Sequence, residues 1–369
     1  MRKLATIRKI NDITPIPDAD KIECAHVDGW ECVVSKADDF HVGDLVVYIE
    51  IDSIVPEKPE FEFLRNRKFR VKTIKLRGQV SQGLVLSTRI LPPGSYKLGD
   101  DVTDILGIKK YDPEAEAEEK ATASTQKKPD SKLVKWLMRF EWFREWRKRR
   151  WKNTSTAFPS WIHKTDEERI QNLPDLFEEL KKSHTVLSVT EKVDGCSATY
   201  FLRKTHNKFG KKYDFGVCSR NKRIPTDNDS HYWAVARRYY IENVLKNIIG
   251  DEEWVVLQGE ITGAGIQGNK YPIDNHFNLW AFNLIYPNKK YSTTEIKDKL
   301  LRYGIFTVPV VTNKYVVGEN DTIQDMVEYV KGASQIIDRE REGCVFRNIE
   351  KNISFKCINP DFLLKNDKE

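Results

Sequence analysis

The chain has 369 residues, 40% of them hydrophobic and 31% charged, which describes a soluble globular protein long enough for two domains. Its 61 basic and 55 acidic residues leave a net charge of only +6, so the average says little about nucleic acid and the distribution must be read instead. Six cysteines without a Cys-x-x-Cys pair, no apolar signal region and no run of membrane-spanning length argue against a zinc site and a membrane role, and a reducing, cytoplasmic setting is expected.

Residues 1–110 carry short strand-like runs at Leu4–Ile10, Ile22–Val27, Glu31–Val34, Leu45–Ile51, Phe69–Leu76 and Gly83–Leu86. Turn signals such as Asp28-Gly29, Gly43-Asp44, Arg77-Gly78 and Gly99-Asp100 separate them. Several short strands without a long helix predict a small β-barrel, with an OB-fold the commonest choice and a protein-contact β-domain the alternative. Basic residues cluster in the last part of this region, and alternation is expected to put Arg70, Lys72, Lys75 and Arg77 on a strand face that meets nucleic acid.

Residues 111–131 are polar, low in complexity and have nothing to bury, which predicts a linker. Residues 132–157 follow as a basic aromatic helix, with Trp136, Trp142, Trp146 and Trp151 among many cations. Its apolar stripe is expected to dock on the next domain, leaving Arg147, Arg149 and Arg150 for RNA; a membrane surface is the other reading of such a helix.

Residues 158–369 read as an α+β domain. Helices are predicted at Asp166–Asn172, Leu176–Lys182, His231–Ile249, Thr293–Tyr303 and Thr322–Ser334. Strands are predicted around Lys192 and at Lys212–Ser219, Trp254–Glu260, Phe277–Ile285, Thr307–Val311, Gly343–Arg347 and Ile353–Ile358. The irregular order of helices and strands disfavours a doubly wound parallel sheet.

Within this domain, Lys192-Val193-Asp194-Gly195 ends one strand and opens another. Lys192 and Asp194 point the same way from an extended chain, and a lysine so placed can serve as a nucleophile once neighbours and desolvation tune it. Charged residues recur at the ends of later apolar strands: Ser219-Arg220, Gly259-Glu260, Glu342-Gly343-Cys344-Val345 and Ser354-Phe355-Lys356. Any one of these is more often a solvated strand end than a catalytic group. Their order is the informative feature.

That ordered set resembles the covalent nucleotidyltransferases, the superfamily of polynucleotide ligases and RNA capping enzymes. The resemblance implies that Lys192 is the AMP-accepting lysine, Glu260 the acid of the third motif, Phe282 the aromatic on the adenine, Glu342 the acid of the fourth motif and Lys356 the lysine of the fifth. Arg220 is similar to the arginine element after the nucleophile, and Arg169 and Lys164 are weaker phosphate candidates. Within the superfamily the chain resembles the RNA ligase 2 branch: 13 residues follow Lys356, and the OB-like region lies in front, as in the Naegleria-type RNA ligases. The segments Lys164–Asn172 and Phe355–Pro360 add to that likeness. One position departs from the usual Lys-x-Lys of the fifth motif, where Ser354 replaces the first lysine.

The resemblance implies an ATP-dependent RNA ligase that seals 3′-hydroxyl/5′-phosphate ends or nicks through lysyl-AMP and RNA-adenylate. ATP and Mg2+ or Mn2+ are the expected cofactors, with Glu260 and Glu342 as hard oxygen ligands. RNA, as a nicked duplex, is the expected partner of a monomer. Metal and Lys356 are expected to lower the Lys192 pKa by like-charge repulsion. The N-terminal region is expected to hold RNA while adenylylation stays within 158–369. A capping-type guanylyltransferase and a non-catalytic OB-fold RNA-binding protein are the alternatives, separable by labelling with ATP or GTP.

Overall fold

The computed structural model describes residues 3–111, 139–141, 156–207, 210–225, 229–266 and 276–366. The expected linker after Tyr111 and most of the basic aromatic segment, including Arg147, Arg149 and Arg150, lie outside the described residues.

The N-terminal part is built on a five-stranded antiparallel sheet in the order Trp30–Ser35, Ile22–Val27, Ala5–Pro15, Leu45–Ile49, Leu84–Ser87. Strict alternation in Trp30–Ser35 sends Trp30, Cys32 and Val34 inward. The long strand Ala5–Pro15 pairs with Leu45–Ile49 over its first half and with Ile22–Val27 over its second, and its register shifts between Ile10 and Asp12. Such an irregularity bends a strand, so one strand serves both halves of a curled sheet. Phe69–Leu76 is not one strand. Lys68 and Phe69 have positive φ, Arg70–Val71 pairs with Ser53–Ile54, and Ile74–Leu76 forms a separate hairpin with Gln79–Ser81. The expected single basic face is therefore split: Arg70 and Lys72 are half-buried, whereas Lys75 and Arg77 are exposed on the hairpin.

The C-terminal part holds two sheets. One runs Thr156–Ala157, Lys222–Ile224, Gly210–Cys218, Cys196–Asn207, Trp254–Thr262, Asn278–Tyr286, Lys289–Lys290, with Phe306–Thr307 added parallel to Asn278–Tyr286. The other runs Glu168–Arg169, Ile353–Ile358, Gly343–Asn348, Leu187–Glu191, Val310–Tyr315. Helices His231–Arg238, Ile241–Ile248 and Thr293–Leu300 bury Val235, Leu245 and Ile296 against the first sheet. Helices Pro174–Ser183 and Ile323–Tyr329 bury Phe177, Leu180 and Met326 against the second. The sequence-based α+β reading holds.

Three predicted elements change. The helix expected at Asp166–Asn172 is a strand pair plus a 3-10 turn, because Glu168 and Arg169 pair in parallel with Phe355 and Lys356. The helix expected at His231–Ile249 breaks at Tyr240, whose φ of 49° lies in the left-handed region. Thr307–Val311 divides into Phe306–Thr307 and Val310–Tyr315.

Phe346 and Phe355 anchor the second sheet: both are fully buried, and their rings stack at 5.1 Å between centroids. Phe346→Ala is expected to destabilise the protein by about 3–5 kcal/mol. Leu98→Ala, at a 60% exposed position, is expected to stay within about 0.5 kcal/mol of the parent. Chemical denaturation of the two variants checks this, and equal midpoints would contradict the packing account.

Candidate active site

The inner faces of the two C-terminal sheets meet at a cavity of about 410 Å³, lined by Lys192, Asp194, Glu260, Phe282, Glu342 and Lys356 and, from the N-terminal part, by Asp52, Arg70, Lys110 and Tyr111. Lys192 is placed by its backbone. Glu191 N–H donates to Pro309 O and Lys192 N–H to Gly343 O, each at 2.9 Å, so the chain is pinned between two neighbouring segments as it leaves the strand. The Glu191 carboxylate is buried and accepts from the Gln335 N–H at 2.8 Å and from the Ser334 hydroxyl, which fixes the adjoining loop. Gly195 then passes so close to the next strand that a Cβ there would meet Ile261 O at 2.2 Å. Only glycine fits this crossing. Pairing of Ser197 with Glu260 brings Glu260, on the first sheet, to the same end of the cavity.

Lys192 Nζ donates to both oxygens of Glu342, at 2.7 and 2.6 Å. Burial works to lower the lysine's pKa, but Glu342, Glu260 and Asp194 outweigh it and hold the ammonium above its usual range. The protein alone therefore does not lower the Lys192 pKa, and the expected lowering rests on a bound metal as well as on Lys356. The physical reason is that Lys192 faces carboxylates, while Lys356 turns toward Asp166. Burial pushes Glu260 up to about 8, against the pull of Lys192, and burial likewise raises Glu342.

The segment Thr165–Asn172 faces two ways. Toward the N-terminal part, Lys110 Nζ donates to Asp166 at 2.6 Å, Arg169 pairs with Asp52 at 3.7 Å, Asn172 Nδ2 donates to Glu50 at 2.6 Å, and Asn172 Oδ1 accepts from Trp30 Nε1 at 2.8 Å. Toward the catalytic sheets, Asp166 pairs with Arg220 at 2.8 Å and Lys356 at 3.3 Å, and Thr165 bonds Ser197 at 2.8 Å. Burial opposes the Asp166 charge, yet Lys356, Arg220 and Lys110 hold its carboxyl below the usual range. Arg70 pairs with Asp52 at 2.6 Å and lies 3.7 Å from the centre of the Tyr111 ring. Arg169 is buried, lines the cavity, and its Nη1 makes no hydrogen bond. The cations of this wall suit a polyanion.

The cavity is also lined by Phe282, Val308, Val345 and Ile358. Phe282 is the extra residue of a bulge: Gln258 pairs with Asn283 and Gly259 with Ala281, leaving Phe282 between them. A bulge re-aims a side chain, and here it presents the ring to the cavity.

Among the described residues no three Asp, Glu, His or Cys side chains gather into a ready-made metal cage. Glu260 and Glu342 nonetheless fit a divalent cation of the magnesium or manganese type, which takes one or two carboxylates and completes its shell with water and phosphate.

Of the residues singled out from the sequence, Lys192, Glu260, Glu342, Lys356, Arg220, Phe282, Arg169 and Arg70 line the cavity. Lys164 does not; it donates to Asn221 at 3.1 Å and lies over Phe158. Sequence reasoning passed over Asp52, Lys110, Tyr111, Asp166, Glu167 and Arg347. Asp166 and Glu167 stand inside the quoted segment and Arg347 closes the strand after Glu342, so their motifs were in view. Asp52, Lys110 and Tyr111 carry no local signal, because only the docking of the two parts brings them to the cavity.

Two family profiles match the chain: an OB-fold domain over residues 4–88 and RNA ligase over residues 185–365. No curated protein sequence matches. Among solved structures, an RNA ligase of Naegleria gruberi in a variant form with ATP and manganese is 31% identical, with 100% of both chains covered and a TM-score of 0.77. The same enzyme with pyrophosphate gives the same identity, coverage and TM-score. A further ligand-free variant of it is 30% identical over 100% of both chains, with a TM-score of 0.78. With its catalytic lysine candidate set between two sheets and an OB-fold domain in front, the chain belongs to the RNA ligase family and has the Naegleria-type arrangement.

Proposed function

We propose that this RNA ligase uses ATP to join an RNA 3′-hydroxyl to a 5′-phosphate, at ends or at nicks in a duplex. In the first step Lys192 Nζ bonds to the α-phosphorus of ATP and pyrophosphate leaves. In the second, a 5′-phosphate oxygen takes the AMP, which frees the lysine and forms RNA-adenylate. In the third, the 3′-hydroxyl attacks that 5′-phosphate, the phosphodiester forms and AMP departs. The observation that carries this reading is the half-buried lysine bonded to Glu342 in a cavity lined by carboxylates, cations and the aromatic ring of Phe282.

Phe282 stacks on the adenine. Lys356, Arg220 and Arg169 meet phosphates, and Lys164 is a more remote candidate. Glu260 and Glu342 hold the divalent ion. Bound there, magnesium or manganese supplies positive charge at the α-phosphate and offsets the carboxylates that keep the Lys192 proton. Residues 1–110 act as the OB domain and 158–369 as the nucleotidyltransferase domain. Lys72, Lys75 and Arg77, with Arg147, Arg149 and Arg150, are candidates to meet RNA phosphates. Action as a monomer is part of the reading, and six free thiols support a cytoplasmic setting.

Incubation with α-labelled ATP and magnesium, followed by acid denaturation, tests the first step. Label is expected on the parent protein with ATP but not GTP, and none on Lys192→Ala. Glu260→Ala, Glu342→Ala and Lys356→Ala should each slow labelling by about 100-fold or more. Undiminished labelling of a folded Lys192→Ala protein would remove the lysine from the mechanism.

The cavity wall contributed by Asp52 and Arg70 makes a second prediction, opposite to the expectation that the N-terminal region only holds RNA. Asp52→Ala and Arg70→Ala should each weaken lysyl-AMP formation about tenfold through the KM for ATP, since each strips a charged partner from the phosphate end. Parent-like labelling kinetics in both variants would return the N-terminal part to a role in RNA binding alone.

A further inference from the structure

Ser354 faces Arg347 directly across the antiparallel pair of Gly343–Asn348 and Ile353–Ile358. Opposed residues of such a pair share one face of the sheet. Arg347 Nε donates to Ser354 Oγ at 3.3 Å, Nη2 to Glu167 Oε1 at 2.8 Å and Nη1 to the Phe282 carbonyl at 2.9 Å. Ser354 Oγ donates in turn to the same Glu167 oxygen at 3.0 Å. The guanidinium also lies 5.7 Å from the centre of the Phe282 ring. The Arg347 side chain is only 9% exposed and that of Glu167 17%, so the group is largely shielded from water.

The Phe282 carbonyl matters here because Phe282 is the bulged residue of its strand and has no residue opposite it in the ladder. A buried carbonyl left out of a ladder needs a donor. Arg347 supplies it from the facing sheet, and so ties the bulge, the second sheet and the Thr165–Asn172 segment into one unit. Three acceptors lying in different directions suit a planar guanidinium and not a point-like ammonium.

We propose that Arg347 is a positioning residue that fixes Phe282 for the nucleotide base, and that Ser354 is the small, uncharged neighbour Arg347 requires. This rests on the reading of Phe282 as the base-stacking ring. One cation and one carboxylate balance in a shielded site, whereas a lysine at 354 would add a second cation against a single carboxylate. Lys290 gives independent support: burial first, and Arg347 next, draw its pKa below the usual lysine range. The surroundings of Arg347 already resist further positive charge.

The test measures lysyl-AMP formation against ATP concentration in the full chain, with thermal unfolding as a folding check. Arg347→Lys should raise the KM for ATP about tenfold while the rate at saturating ATP changes by less than about threefold. Ser354→Lys should raise the KM similarly, and Ser354→Lys combined with Arg347→Met should raise it by less than the product of the Ser354→Lys and Arg347→Met effects. Should the Met-containing protein not fold, the two single lysine variants still decide the matter. Phe282→Leu separates the two readings. A normal KM there would overturn the stacking role and this inference with it. A raised KM for Phe282→Leu alongside normal values for Arg347→Lys and Ser354→Lys, or strictly additive effects in the double variant, would overturn this inference alone.

Discussion

The site is built on one largely shielded ion pair. Lys192 follows the strand Leu187–Glu191 and Glu342 precedes its neighbour Gly343–Asn348 in the same sheet, while Glu260 stands on the first sheet, across the cavity they share. Removing either partner of the pair would leave the other charge uncompensated in a shielded site, so the pair ties the two neighbouring strands together where the cavity opens. The same pairing sets a chemical constraint. A lysine surrounded by Glu342, Glu260 and Asp194 keeps its proton, so the resting cavity is ordered but not yet nucleophilic. Activation then follows from whatever positive charge those carboxylates accept. Under the proposed mechanism the carboxylates that hold the lysine are also the ones that would take the cation.

Around this pair the cavity wall is mixed. Phe282, presented by its bulge, and the apolar residues Val308, Val345 and Ile358 form part of it. Its cationic part is shared between two parts of the chain and assembled by the segment Thr165–Asn172. Asp166, Arg169 and Asn172 reach toward the N-terminal part, while Thr165 and Glu167 reach toward the catalytic sheets. Gly29, at the tip of an N-terminal hairpin, adds contact on a different side, where a Cβ would come within 2.6 Å of Ile323. The OB-fold domain is thereby a wall of the candidate active site. Among the described residues no helix is long and apolar enough to cross a membrane.

How much of this was readable in advance follows from where each residue gets its position. Lys192, Glu260, Glu342 and Lys356 sit at the ends or on the inward faces of apolar strands, and the two-residue period of a strand makes such placements visible in sequence. Phe282 was legible by resemblance, but its bulge was not, since a one-residue shift in pairing leaves no local mark. The segment Asp166–Asn172 reads as helix because it is charged and contains no breaker. Pairing of Glu168 and Arg169 with Phe355 and Lys356 overrides that propensity. Arg70 was picked out for its charge and assigned to a strand face, yet the positive φ at Lys68 and Phe69 ends the preceding turn so that its side chain meets Asp52 and Tyr111. Asp52, Lys110 and Tyr111 could be found only once the two parts were docked.

The central claim is that the carboxylates around Lys192 keep it protonated until a divalent cation is bound. Nuclear magnetic resonance of lysine-labelled protein, with the Lys192 signal assigned by its loss in Lys192→Ala, measures this directly. Without metal, Lys192 is predicted to titrate above the ordinary lysine midpoint of about 10.4. Saturating magnesium together with a non-hydrolysable ATP analogue is predicted to move its titration downward. A Lys192 that titrates below the ordinary lysine range in the metal-free protein, or one that does not move when metal and nucleotide bind, would contradict the account.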